Sequence, residues 1–275
     1  MKIKLINIYS FPVRAKTDWL ILEIVSENNI NGYSELTISN YYKRDELISI
    51  TKKLIKKLSN KDIENDNQVK EILEKNKEES LTFNTSISGI RSACSDIFSK
   101  IKKIPMNIYL AEMNKRKISD SVELYANINR SLLPNNYGPV DRSPNSFLNM
   151  AKKAKNAGFK KIKCAPFDGF ENEEYKERKF ISRGIDKVSL ISKNLKNEIE
   201  ILVDCHSKFN LKESQATEKD LNDLGVKWFE EPMDPQKNLE ELKELKPIIR
   251  GKLVGGEEFY GVNEFYNLIK NNYLD

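Results

Sequence analysis

From about Val122 onward, short apolar runs alternate with longer amphipathic ones, and this alternation limits the fold more than any other feature of the chain. Strand-then-helix repeats build a parallel sheet, because a parallel neighbour is reached only through a crossover. The strand runs are VELYANI, FKKIKCA, IEILVDC, VKWFEEP and KLVGGEE. Between the first two, Ser143 supplies an N-cap and Pro144 the first helical position, and FLNMAKKAKNAG continues as a helix ended by Gly158. A fifth helix begins at Val262. Such β-then-α units predict an α/β chain, either an open doubly wound sheet or a partial TIM-type (β/α) barrel. No glycine-rich loop follows the first strand, and GGEEFYG after the last is too short and wrongly placed to be one, which counts against a nucleotide fold.

Residues 1–115 read differently. A three-stranded meander, IKLINIYSF, DWLILEIVS and YSELT after an NNING turn, precedes helices, so an α+β domain is expected there. A lysine-coated helix is predicted over Arg44–Leu58. Helical spacing of Ile87, Ile90, Cys94, Ile97, Phe98 and Ile101 predicts another with one buried face. The second domain, residues 116–275, is then an incomplete barrel with about five of eight strands.

With 275 residues the chain needs no disulfides to bury a core, and its 3 cysteines form no CxxC pair, which suits a reducing cytosol. The start, MKIKLINIYSF, carries charge inside its apolar stretch, and no run approaches the ~18 apolar residues of a membrane span. These features predict a cytoplasmic protein with no membrane contact. The net charge of +5 comes from lysines and arginines interleaved with acids, without a basic stripe, so no nucleic-acid partner is expected.

Three consecutive strands end in acids: Asp204 in LVDCH, Glu230 and Glu231 in WFEEP, Glu257 and Glu258 in VGGEE. Any one of them reads equally well as a helix cap or a solvated loop residue. Together they do not, because the C-terminal ends of parallel barrel strands meet at one mouth. Carboxylates gathered there repel one another, and a hard dication with about six oxygen ligands resolves the repulsion, Mg²⁺ better than zinc. His206 is the only histidine, two residues after Asp204, so on an extended strand it would share that face.

VDCHSKF, WFEEP and GGE, in this order and spacing, resemble the three metal-ligand motifs of the mandelate racemase and muconate lactonizing enzyme family of the enolase superfamily. The resemblance implies that Asp204, Glu230 and Glu257 bind Mg²⁺, and that residues 1–115 are a capping domain. It also implies abstraction of a proton α to a carboxylate, building an enediolate whose charge the metal offsets. AGFKKIKCAPF resembles the family's second barrel strand, which carries Lys-x-Lys; Lys163 takes the first position, and Ala165 replaces the second lysine. Lys161 enters only if the register slips, and otherwise reads as an ordinary strand lysine. A histidine at position 206 resembles the general acid of the family's sugar-acid dehydratases.

The expected activity is therefore dehydration of an aldonate or aldarate, with a small-molecule sugar acid as partner. A racemase or epimerase, or a catalytically inactive truncated paralogue, are the alternatives. Cys164 and Cys205 are expected in the core. Arg14 and the stretch from Tyr33 to Tyr42 are expected in loops that cover the mouth, and Glu231 and Glu258 are expected to be replaceable. The strand count further predicts a C-terminally truncated family member, with Tyr273–Asp275 entering a sixth strand. Residues 1–275 alone then lack the base carried on later strands, are not expected to turn over, and allow a homo-oligomer that covers the open edges.

Overall fold

The computed structural model describes residues 1–14, 17–37, 43–74, 80–119, 121–129, 132 and 141–275, the side chains of Arg14 and Thr17 excepted. The chain divides into two compact units, Met1–Ser121 and Val122–Asp275.

The first unit is a meander of β1 (Ile3–Arg14), β2 (Thr17–Ser26) and β3 (Asn31–Glu35), followed by α1 (Arg44–Lys56), α2 (Asp66–Glu74), α3 (Leu81–Lys102) and α4 (Met106–Asn114). Alternation along β2 buries Leu20, Leu22 and Ile24 completely, in one cluster with Ile90, Ala93, Cys94 and Ile97 of α3. Gly32 permits this packing: a Cβ there would lie 2.0 Å from the carbonyl oxygen of Ala93. Helix α3 starts earlier than its apolar spacing predicts because Ser80 caps it, its hydroxyl accepting from the Phe83 N–H. Ile101, placed by spacing on the buried face, is 44 % exposed.

On the opposite face of the sheet, Glu23 is buried among four donors. Asn7 Nδ2 and Tyr9 Oη donate to Oε2, both at 2.8 Å, while Tyr33 Oη and Asn31 Nδ2 donate to Oε1 at 2.7 and 3.0 Å. Tyr33 is thus a strand residue serving Glu23, not a residue of a covering loop; the other tyrosines of that expectation, Tyr41 and Tyr42, lie outside the described residues.

In the second unit the chain runs β4 (Ala126–Asn127), α5 (Pro144–Asn156), β5 (Lys161–Cys164), α6 (Asn172–Lys176), α7 (Lys179–Leu195) and β6 (Glu200–Asp204). It continues through α8 (Leu211–Asp223), β7 (Trp228–Glu230), α9 (Leu239–Leu245), β8 (Lys252–Val254) and α10 (Val262–Lys270). The five strands pair in chain order, all parallel. This is the arrangement of a partial (β/α) barrel, and the described residues form no closed barrel.

Each expected strand is found, but VELYANI pairs only at Ala126 and Asn127, and Val122 and Leu124 are 78 % and 67 % exposed. Ser143 caps α5 as expected, accepting from the Ser146 N–H, and Gly158 takes a φ of +93° that a side chain would strain. The core lies between sheet and helices, around Phe147, Ile162, Phe167, Phe180, Val203 and Phe229. At the free edge of β8, the Asp275 N–H donates to the Leu253 carbonyl and Leu253 N–H to Asp275 Oδ2, both at 2.8 Å. Among the described residues no helix is long and apolar enough to cross a membrane.

The hydrogen bonds from Asn7, Tyr33 and Tyr9 hold the Glu23 carboxyl down at about 2, below its ordinary 4.5. A carboxyl lowered on folding adds stability above its unfolded value and loses it as pH falls through the folded one. Urea unfolding of the first unit, followed by Trp19 fluorescence in a Trp228→Phe background, is therefore expected to weaken between about pH 4.5 and 2. The same measurement on Glu23→Gln should flatten that slope, and an unchanged slope would show that Glu23 does not set it.

Candidate active site at the ends of the parallel strands

Register assembles the site. In the parallel pairings Lys163 lies beside Leu202, and Asp204 beside Glu230, so the C-terminal ends of β5, β6 and β7 come nearly level. Alternation sends Ile162, Cys164, Val203 and Phe229 into the core and turns Lys163, Asp204 and Glu230 to the other face. Cys164 and Cys205 are fully buried, and burial pushes the Cys164 thiol up to about 12 and that of Cys205 well above its ordinary value, so neither is a nucleophile.

At the strand ends six charged groups alternate in sign. Glu230 Oε1 lies 2.5 Å from Lys163 Nζ, which lies 2.9 Å from Asp204 Oδ2. His206 Nε2 is 3.3 Å from that same oxygen, and His206 Nδ1 is 2.6 Å from Asp168 Oδ2. Asp168 Oδ1 is 2.6 Å from Lys208 Nζ. The remaining oxygen of Glu230 accepts from Trp228 Nε1 at 2.9 Å.

The ionisation of the groups follows from their neighbours. Burial alone would raise the Asp204 carboxyl, but hydrogen bonding and charge from His206 and Lys163 bring it down to about 2. The hydrogen bond to Asp168, then that to Asp204, pushes His206 up to about 10. Lys163 is drawn down by burial, and Glu230 and Asp204 more than reverse this.

His206 does not reach the site as an extended strand residue. Strand β6 ends at Asp204, and His206 and Ser207 are left-handed, with φ of +46° and +56°. Each such non-glycine residue costs on the order of 1–3 kcal/mol and persists only where its surroundings over-determine it. Here Cys205, Ser207 and Phe209 donate their N–H groups to the carbonyls of Glu230, Glu231 and Pro232 at 2.9, 2.7 and 2.9 Å, so the ladder with β7 continues past the strands and holds the turn.

Glu257 makes no ion pair among the described residues, and the residue is exposed in part. Its carboxyl is nonetheless raised, first by burial of the carboxyl itself and then by the negative charges of Glu231 and Asp204. Glu231, expected to be replaceable, is a buried brace. Its Oε1 accepts from the N–H groups of Gly256 and Glu257 at 2.8 and 3.1 Å, which fixes the turn that presents Glu257. Lys161 lies at the other end of β5, 3.0 Å from Glu123 and 3.3 Å from Glu200. Ala165, where the family's second lysine would stand, is buried.

Asp168 and Lys208 are the site residues that the sequence reading missed. The Asp168-Gly169 pair marks only a turn, and nothing local shows that it meets a histidine 38 residues away.

Whether these residues suit a divalent cation is decided by the donor set. Asp204, Glu230 and Glu257 are all carboxylates, two of them at adjacent strand ends around the Lys163 ammonium, and after burial the negative charges of Glu231 and Asp204 also raise the Glu257 carboxyl. The donors fit in kind. Their arrangement is closed on Lys163, and no cluster of three or more His, Cys, Asp or Glu among the described residues is spaced to hold a metal.

Residues 147–275 match the family model described as enolase C-terminal domain-like. Over that stretch, just under half of the chain, the sequence is similar to the C-terminal domain of the enolase superfamily. It is 25 % identical over 132 residues to the D-gluconate/D-galactonate dehydratase of Picrophilus torridus, a stretch covering 48 % of this chain and only 33 % of that relative. Its fold superposes on a candidate dehydratase from Mesorhizobium loti with a TM-score of 0.84 at 21 % identity, covering 100 % of this chain and 71 % of that one. A mandelate racemase/muconate lactonizing enzyme-like protein from Roseovarius sp. TM1035 gives 0.81 at 16 % identity, covering 100 % and 70 %. At these identities the likeness establishes the α/β fold of this superfamily.

Removing Glu231 strips two backbone donors of a buried charged acceptor. Glu231→Ala is expected to lower the stability of the second unit by about 1.5–3 kcal/mol in urea unfolding, the range for hydrogen bonds to charged groups. Glu258→Gln, at an exposed position, should stay within about 0.5 kcal/mol of the native protein. Equal tolerance at both positions would restore the reading of Glu231 as replaceable.

Proposed function

We propose that this chain is a Mg²⁺-dependent dehydratase that removes water from an aldonate or aldarate, leaving a 2-keto-3-deoxy acid. The observation that carries the reading is the convergence of Lys163, Asp204, Glu230 and His206 at the ends of three adjacent parallel strands. The likeness to a protein named D-gluconate/D-galactonate dehydratase supports the substrate class. The proposed setting is cytoplasmic, with the sugar acid as partner and neither membrane nor nucleic acid involved.

Asp204, Glu230 and Glu257 are the residues that would hold the ion. When bound, a dication supplies Lewis acidity toward the substrate carboxylate. Lys163, freed from its two carboxylates, would offset negative charge building on the carboxylate oxygens once the α-proton has passed to a base, a role that none of these site residues fills. The C–O bond of the neighbouring carbon then breaks with its electron pair on oxygen. His206 Nε2, the ring nitrogen not engaged by Asp168, gives its proton to that oxygen, and water departs. The racemase or epimerase alternative needs a base on each face of the α-carbon, and Ala165 removes the one that β5 would bring.

One observation favours a second reading, a non-catalytic sugar-acid binder: Lys163 already neutralises Asp204 and Glu230. Solvent deuterium entering the α-position of a bound sugar acid excludes that reading, and binding without exchange favours it.

Calorimetry with Mg²⁺, then with a panel of aldonates and aldarates, tests the proposal. One Mg²⁺ per chain is expected, weakened on the order of 10–100-fold in Glu230→Gln and Glu257→Gln. A sugar acid should bind only to the Mg²⁺-loaded protein. Unchanged Mg²⁺ affinity in both variants would sink the metal site, and no sugar acid binding in its presence would sink the substrate class. In a complete enzyme that carries a base for the α-proton, His206→Asn should suppress dehydration by roughly 10²–10⁴ while leaving α-proton exchange measurable. Undiminished dehydration would remove His206 from the acid role.

A further inference from the structure

The loop between β5 and α6 is fixed by side chains far beyond what its length requires. Four consecutive carbonyls, those of residues 165–168, are each bound by a side chain from elsewhere in the unit. Arg142 Nη2 donates to the Ala165 carbonyl at 2.9 Å and Arg142 Nε to that of Asp168 at 3.1 Å. Lys187 Nζ donates to the Pro166 carbonyl at 2.8 Å, and Tyr175 Oη to that of Phe167 at 3.3 Å.

The side chains of the loop are held as firmly. Phe167 is fully buried, packed edge-on against Phe209 at 4.9 Å between ring centroids, and thereby ties this loop to the one that carries His206. Gly184 makes room for it, since a Cβ there would meet Phe167 Cδ1 at 2.2 Å. Gly169, with a φ of +77°, makes room for Arg142, whose Cδ would lie 2.6 Å from a Cβ. Lys187 is buried within the same cradle, its Nζ 4.1 Å from the centroid of the Phe170 ring.

Toward the strand ends this loop presents Asp168, and both of its oxygens are committed. Oδ2 faces His206 Nδ1 at 2.6 Å and Oδ1 faces Lys208 Nζ at 2.6 Å. An ionised carboxylate only accepts, so the ring proton of the 2.6 Å contact sits on His206 Nδ1. With Nδ1 tied, the ring cannot flip, and Nε2 is left facing Asp204 and the strand ends.

We infer that Asp168 is a positioning residue: held by the Arg142, Lys187 and Tyr175 cradle, it locks the His206 ring with Nδ1–H inward and delivers Nε2 to the reacting atoms. The catalytic half of this statement rests on the dehydratase reading, and the geometric half stands without it. A carboxylate in this place does more than orient. It keeps the ring's inner nitrogen a donor while Nε2 exchanges its proton, and the rigid loop spares the ring any reorganisation during the step.

His206 is the chain's single histidine, so protein grown on ring-¹⁵N histidine reports this one ring without assignment. Long-range ¹H–¹⁵N spectra of the metal-free protein are expected to show a protonated Nδ1 with a downfield, slowly exchanging proton. Asp168→Asn should abolish that slow resonance, and Arg142→Met should speed its exchange by at least about tenfold while the Phe167 and Phe209 ring contacts persist. An unprotonated Nδ1 in the native protein overturns the inference outright, whether or not any variant folds. So does a resonance that survives Asp168→Asn.

In protein that dehydrates a sugar acid, Asp168→Asn should lower kcat on the order of 10²-fold with KM within about threefold, because the ring is misplaced while the substrate still binds. Unchanged kcat there overturns the catalytic half. If no sugar acid is ever dehydrated, the dehydratase reading fails by itself and the ring spectrum still decides the role of Asp168.

Discussion

Parallel pairing forces like charges together in this unit, and most of what surrounds the strand ends follows from that. Asp204 and Glu230 are register partners on strands about 4.8 Å apart, and both turn to the same face. Their repulsion has to be met locally, and Lys163 meets it, one ammonium within 2.9 Å of both. His206 repeats the device one step outward between Asp204 and Asp168, and Lys208 repeats it again. Glu257 stands outside this alternation, and its carboxyl is raised first by its burial and then by the negative charges of Glu231 and Asp204.

Much of this was legible in the chain. Strand runs rich in apolar residues placed β5 to β8, and the acids that close the last three placed the carboxylates at their ends, because burial on both faces leaves a periodicity that sequence carries plainly. Lys163 and His206 were legible as members of the site, but not the way His206 enters it. A left-handed turn at a non-glycine residue has no local marker; it is imposed by backbone bonds from Ser207 and Phe209 to the next loop. Asp168 was illegible for the same reason, since its role is made by Arg142, Lys187, Tyr175 and His206, which come from four separate stretches of chain. VELYANI misled in the other direction. Its pattern is that of a strand, yet pairing with β5 is confined to two residues, so propensity found no partner for the rest.

Site and core are also inseparable by construction. On β5, Lys163 lies between Ile162 and Cys164, both fully buried, and at the end of β6 Asp204 lies between Val203 and Cys205, likewise fully buried. A shift of the core that moves any of these core-facing residues must move the adjoining charge, because the parallel ladder fixes the backbone between them. The alternating charges tolerate such shifts poorly: their partners sit at hydrogen-bonding distance, where a displacement of about 1 Å removes most of a bond. The small thiols at positions 164 and 205 suit this constraint. They fill space directly beneath the charged layer without adding a group that ionises there, since burial keeps both protonated. The packing under the sheet is thus part of what fixes the distance between Lys163 and its two carboxylates, and the electrostatics of the strand ends rests on it as much as on the charged residues themselves.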